Sequence, residues 1–220
     1  MSAGTAELRA GGGDPHRLGH ERQDDRARDE GGIASERVVV GYGFWLFIVS
    51  DIILFSGFFA SYAVLSRATD GGPTAAQLFK LDQVAIETAC LLVSTLTCGM
   101  ATLAADARSL RWTQVALFVT GLLGFAFLVL EVREFTELVG RGAGPDRSAF
   151  LSAFFALVGC HGLHVGTAIL WCGTMIAQLW AKGFRDDIMR RLLCFTLFWH
   201  ALDIVWVGVF TFVYLLGARG

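Results

Sequence analysis

The fold class this sequence predicts is an all-α membrane protein, a bundle of five transmembrane helices. Three observations carry that expectation. Of the 220 residues, 54% are hydrophobic and only 17% are charged, well below the roughly one quarter charged in an ordinary soluble domain. The mean hydropathy is +0.54. The charges are also unevenly placed, crowding into the N-terminal stretch and into short gaps between long apolar runs, as bilayer spans and their loops do.

The elements follow in order. Residues 1–37 mix Arg, Asp, Glu and Gly and hold no apolar run, so they do not read as a signal peptide. The stretch HERQDDRARDE from His20 to Glu30 cannot bury enough apolar surface to order itself. Residues 1–37 are therefore expected to be a disordered polar tail ahead of a transmembrane domain at 38–217. Span one covers about 38–66, with Asp51 its only charge between Arg37 and Arg67. Span two covers 83–105, with Glu87 near its start. Span three covers 112–139 and carries Glu131, Arg133, Glu134 and Glu137 in its second half. Span four covers 148–181 and holds His161 and His164, with Asp146 and Ser148 available to cap it. Span five covers 189–216 and holds His200 and Asp203. Each span exceeds the roughly 20 residues needed to cross the hydrocarbon, so tilt is expected. Pro15 lies in the tail and Pro73 and Pro145 in loops, so proline breaks no span as it breaks many transporter helices.

Lys and Arg set the expected orientation. The six tail arginines, Arg108, Arg111, Lys182, Arg185, Arg190 and Arg191 fall on one side. Arg67, Lys80, Arg141, Arg147 and Arg219 fall on the other. The richer side is cytoplasmic by the positive-inside rule, which places the N-terminus in the cytoplasm and the C-terminus on the far side of the membrane, the periplasm if that membrane is a bacterial inner one. Nothing resembles a basic stripe or a nucleic-acid module, which argues against a nucleic-acid partner. Cys90, Cys98, Cys160, Cys172 and Cys194 all lie in apolar runs without a C-x-x-C pair, and read as small buried apolar residues.

A charge in hydrocarbon costs roughly 2.5–3.5 kcal/mol on insertion scales, so the polar residues at membrane depth must face protein, water or each other. Asp51 reads equally well as a protonatable carboxyl near a proton path or lipid head group, and as a packing residue bonded near Ser50 or Ser56. His161 and His164 form HGLH, and their i, i+3 spacing puts both rings on one helix face. His200 and Asp203 repeat the spacing, and Trp206 extends the stripe. That set admits a metal in principle. It equally fits interhelical hydrogen bonding, with Gly162 permitting close approach and Glu131 and Glu134 as partners. Nothing in the spacing places an acidic shell around an open position, so no metal site is expected. Arg133 and Glu137 are spaced to pair within their helix. Trp45, Trp112 and Trp180 suit an aromatic belt, whereas Trp199 and Trp206 lie deep. No P-loop, dinucleotide fingerprint, H-E-x-x-H or G-x-S-x-G is present, so no catalytic site is expected within this chain.

Four stretches carry a family resemblance: YGFWLFIVSDIILFSGFFASYAVL; GGPT with LFKLDQVAIETACLLVSTLTCGMA; EVREFTELVGRGAGPDRSAFLSAFFALVGCHGLHVG; and FWHALDIVWVGVFTFVYLLG. Together they resemble subunit III of the haem–copper respiratory oxidases, with its HGLHV and WHxxDxVW motifs. Five spans with Asp51 at the buried-carboxyl position look most like the cytochrome o (bo-type) ubiquinol oxidase branch. Seven spans and Glu at that position mark the mitochondrial kind. The resemblance implies a non-catalytic subunit of a proton-pumping ubiquinol oxidase that packs on subunit I and binds phospholipids in a cleft. It implies partners in subunits I, II and IV. It also implies that haem b, haem o, copper and ubiquinone reside in subunit I and none in this chain. It demotes the metal reading, and it moves Asp51 toward a role in proton uptake or lipid binding. Glu87, Glu131, Glu134, His161, His164, His200, Asp203 and Trp206 then become candidates for interhelical polar contacts or the lipid cleft. Two other readings remain: the same fold serving a cytochrome c oxidase or a nitric-oxide-reductase-associated relative, and a small proton-coupled transporter using Asp51 and the histidines as a relay.

Overall fold

A computed structural model describes residues 36–217. The predicted tail, apart from its last two residues, lies outside the described residues. Five long helices follow one another: α1 (Glu36–Leu65), α2 (Leu81–Asp106), α3 (Leu110–Gly140), α4 (Ala149–Lys182) and α5 (Asp186–Val209). A single turn of helix, Ala75–Leu78, precedes α2, and a π-helical segment, Phe210–Leu215, extends α5. All five, α5 counted together with its π extension, are long and apolar enough to cross a membrane.

Four of the helices close into a ring. The hairpin of α2 and α3 makes the most extensive contact, α3 packs on α4, α4 on α5, and α5 returns to α2. The buried positions explain this ring. On α2 they are Val84, Glu87, Leu91, Ser94, Cys98, Ala101 and Ala105, alternating steps of three and four. On α3 they are Thr113, Leu117, Thr120, Gly124, Phe127, Glu131, Glu134 and Leu138, with the same alternation. Val158 to Leu179 of α4 and Ile188 to Val209 of α5 keep it too, with extra buried neighbours. A 3.5-residue repeat of inward positions is the seam of a left-handed bundle. Lipid tails are as apolar as Leu, so association rests on close packing and on hydrogen bonds rather than on apolar burial. The seam supplies both. Gly124 accepts the Trp199 ring so closely that an added methyl would sit 2.6 Å from it. The Trp199 Nε1 donates to Ser94 Oγ at 3.1 Å, and Thr97 and Thr120 hydroxyls meet at 2.8 Å.

The ends of the helices are locally encoded. Ser148 caps α4, its Oγ accepting from Leu151 N at 3.2 Å, as the sequence predicts. Gly183 ends α4 with φ +66, a left-handed conformation that glycine adopts without penalty. Arg108 ties the α2–α3 turn to the α4–α5 turn, donating to the Phe184 carbonyl at 3.1 Å.

α1 stands outside the ring. Among its described side chains only Phe55 and Tyr62 are buried. It leans on α4 and α5 through large side chains rather than close backbone approach: Phe44 on Trp171, Phe47 on Phe198, Phe55 on His164 and Phe59 on Phe212. Between the second half of α1 and the π segment this leaves a cleft of about 900 Å³, lined in part by Phe59, Tyr62, Arg67, Phe212 and Leu216. Trp45, Trp112 and Trp180 are exposed and Trp199 and Trp206 are buried, as a belt and a core respectively.

Candidate functional site

The polar residues at membrane depth form two constellations. The first joins α1 to α4. Asp51 Oδ2 stands 3.8 Å from His164 Nε2, both side chains about one-fifth exposed. His164 Nδ1 lies 2.7 Å from the Cys160 carbonyl. A carbonyl only accepts, so Nδ1 carries a hydrogen, and in a neutral ring Nε2 is then the acceptor that faces the carboxyl. At 3.8 Å the two are too far apart for a direct hydrogen bond. A small void of about 10 Å³ adjoins Asp51, lined also by Phe55, Phe198 and Leu202. Ser50 and Ser56 do not serve Asp51, because their hydroxyls donate to the Phe47 and Ile53 carbonyls of their own helix.

The second constellation is a polar layer inside the ring. Glu87 of α2 and Glu131 and Glu134 of α3 occupy core positions of the seam and are 0%, 2% and 7% exposed. They lie within electrostatic range of one another. Glu87 and Glu134 are six residues inside their helix ends, about 9 Å along the axis, and Glu131 about 13 Å. Gln83 Nε2 donates to Glu87 Oε1 at 3.4 Å, and Tyr214 Oη donates to Glu134 Oε2 at 2.8 Å. Glu131 packs on the α4 backbone, where a methyl on Gly162 would sit 2.7 and 2.9 Å from its two oxygens. Only glycine leaves room for this carboxyl. His161 is fully buried, stacked on Trp206 at 5.2 Å with Phe127 edge-on at 5.8 Å. Trp206 Nε1 donates to Thr88 Oγ1 at 3.1 Å and so ties α5 to α2.

The structure thus separates what the spacing joined. His161 turns into the ring and touches α1 through Phe55 at 6.3 Å, whereas His164 one turn on meets both Phe55 and Asp51 of α1. Asp203 is buried and shares with His161 a void of about 10 Å³. His200 stays on its own helix, with Nδ1 donating to the Thr196 carbonyl at 2.7 Å. The expected Arg133–Glu137 pair does not form. Glu137 binds Lys80 at 2.6 Å and also Arg141, because the turn before α2 brings Lys80 over the end of α3. Among the described residues no group of three or more His, Cys, Asp or Glu is placed to hold a metal ion. Sequence reasoning missed Tyr214, Thr88 and Gln83. Tyr214 had no readable signal, because the π segment, rather than a regular helical step, turns it inward.

The sequence model of the family described as Cytochrome c oxidase subunit III matches residues 32–218. The chain belongs to that family. It is 47% identical over 214 residues to the cytochrome bo(3) ubiquinol oxidase subunit 3 of Pseudomonas aeruginosa, covering 97% of this chain and 99% of the relative. It is 48% identical over 179 residues to the protein of that name from Pseudomonas putida, covering 80% of this chain and 84% of the relative. A cytochrome c oxidase subunit 3 from Bacillus sp. (strain PS3) is 40% identical over 178 residues, covering 81% and 86%. Membership and the five apolar helices make the chain a multi-pass protein of the bacterial inner membrane. All four motif stretches of the family resemblance lie within the matched region.

Proposed function

We propose that this chain is the non-catalytic subunit III of a proton-pumping terminal ubiquinol oxidase, in which quinol oxidation is coupled to reduction of oxygen to water. The observation that carries this reading is the end-to-end similarity to the Pseudomonas aeruginosa bo(3) subunit, 47% over 97% of this chain. The lower identity to the cytochrome c oxidase subunit of strain PS3, 40% over 81%, makes the quinol branch the better supported of the two. In this reading the tail lies in the cytoplasm and the chain packs on subunit I beside subunits II and IV. The haem b, haem o, copper and ubiquinone sites belong to subunit I.

The arrangement of side chains supports the supporting role. Polar groups are spent on joining helices, as in Trp206 to Thr88 and Trp199 to Ser94. The cleft beside α1 suits a phospholipid, with Phe59, Tyr62 and Phe212 along its wall for acyl chains and Arg67 at its lining for a phosphate. Asp51, held between α1 and α4 beside His164, is the carboxyl assigned to proton uptake or to lipid retention.

Co-purification tests the reading. Tagged on this chain and extracted in mild detergent, the complex should carry haem and oxidise ubiquinol with oxygen. A partner subunit II with a copper-binding soluble domain and activity on cytochrome c would transfer the chain to the other branch. Recovery of the chain without any haem protein would refute the assignment to an oxidase.

A further inference from the structure

The polar layer has fewer donors than it needs. Of the carboxyl oxygens of Glu87, Glu131 and Glu134, one receives the Gln83 amide and one the Tyr214 hydroxyl. Glu87 Oε2 and both oxygens of Glu131 are buried with no partner in the protein. Trp206 Nε1 is committed to Thr88 and the Thr88 hydroxyl to the Val84 carbonyl, while the buried Thr95 hydroxyl, also unpartnered, faces Asp203. Across the layer, both ring nitrogens of the fully buried His161 and Oδ1 of Asp203 are also unpartnered. Native interiors rarely leave such groups unsatisfied, because each loses its hydration without a replacement bond, and a charged group loses most. Lys80 and Arg141 sit about half-exposed at the bundle end and bind Glu137.

Two small voids flank the layer, and the inner one adjoins the orphaned atoms of His161 and Asp203. One of about 10 Å³ is lined by His161, Asp203, Leu91, Val165, Trp199 and Leu202. Another of about 10 Å³ lies at the mouth, lined by Gln83, Glu134, Lys80, Glu137 and Arg141. A void of roughly that size is one water, and a buried water normally has two to four polar partners. His161 and Asp203 supply them in the first, Gln83 and Glu134 in the second. The outer void lies beside Lys80, and the inner one reaches Asp203, about 18 Å inside the end of α5's π extension.

We propose that α2–α5 enclose a binding site for ordered water and an exchangeable proton, built by Glu87, Glu131, Glu134, His161 and Asp203. Water supplies the hydrogen bonds the protein withholds. A carboxylate only accepts, whereas a carboxylic acid also donates, so a proton shared among the three glutamates completes the layer from within. The groups facing that proton are Glu87 and Gln83 of α2, Glu131 and Glu134 of α3, His161 of α4, Asp203 of α5 and Tyr214 of the π segment. Lys80, Glu137 and Arg141 stand at the mouth. The site is internal to this chain and does not depend on which electron donor the complex uses.

The test uses the intact oxidase complex containing this chain, in lipid nanodiscs. A cryo-electron-microscopy map that resolves water should show density in the His161–Asp203 void and within hydrogen-bond distance of the Glu131 carboxyl. Infrared spectra should show a carboxylic acid C=O band that shifts in D2O and is lost in Glu131→Gln or Glu87→Gln. His161→Phe should remove the water density beside Asp203. If the map shows both places dry, with the side chains bonded to one another instead, the site does not exist. A band that persists unchanged in both Gln variants of the assembled complex overturns the proton. Should one variant fail to assemble, the wild-type map and the other variant still decide. None of these readouts depends on turnover, so failure of the oxidase assignment would be seen separately, in the co-purification.

Discussion

Replacing Gly162 by Ala probes the tightest contact in the polar layer. The added methyl would lie 2.7 and 2.9 Å from the two oxygens of Glu131, against an ordinary contact beginning near 3.4 Å. The carboxyl must therefore retreat by about 0.5–0.7 Å into a layer already filled by Glu87 and Glu134. Overpacking of this kind costs about 1–3 kcal/mol, and 2 kcal/mol is roughly a thirtyfold change in an equilibrium. Shortening the offending side chain by one methylene, Glu131→Asp, withdraws the oxygens by about 1.5 Å and makes room. The double variant should then be more stable than the sum of the single effects implies, by about 1–2 kcal/mol, as for residues in direct contact. The assay is SDS titration of the purified complex, scoring the fraction that retains this chain for wild type, both singles and the double. Strict additivity would refute the placement of Glu131 against Gly162.

Further expectations follow from other contacts. Trp206→Phe keeps the stack on His161 but loses the bond to Thr88, and should cost about 1 kcal/mol; Thr88→Val should cost a similar amount and add little to it, read by the same titration. His161→Ala removes a buried, stacked ring and should destabilise the chain by about 2–4 kcal/mol, whereas His200→Ala, bonded only to its own helix, should change stability by under about 1 kcal/mol; equal losses would contradict their separation. Asp51→Asn should leave assembly intact while shortening the catalytic lifetime of the complex or lowering its lipid content, and wild-type values for both would leave Asp51 a packing residue. Arg67→Gln should lower the phospholipid retained per complex, measured by mass spectrometry of extracted lipid, with no change meaning that the cleft holds lipid by its apolar wall alone.

Much of the fold was legible because hydropathy is a one-dimensional signal. Runs without charge gave the spans, and Ser148 gave a helix start. The ring was not legible in the same way. Nothing in the composition of α1 distinguishes a helix that leans on its neighbours from one that interlocks with them. The HGLH spacing correctly put two histidines on one face, but a face spans enough arc to meet two different helices, so His161 and His164 part company. Arg133 and Glu137 had the right separation to pair, yet Lys80, 57 residues away from Glu137 in the chain, takes that partner because the preceding turn delivers it. Gly162 was readable as a close-approach residue and Glu131 as a partner across the helices, but spacing did not show that the Glu131 carboxyl itself fills the space over the glycine.

The position of α1 outside the ring also has a meaning in time. Its Asp51 faces His164, a residue made about 110 positions later, which at bacterial elongation rates of roughly 5–20 residues per second is about 6–22 s. Phe55 waits about as long for the His164 ring, and Tyr62 somewhat less long for Phe150, both on α4. For that interval the first helix crosses the membrane with its carboxyl uncovered by any later part of its own chain, and whatever shields it then, whether translocation machinery, water at the interface or another subunit already in place, acts as a temporary stand-in for His164.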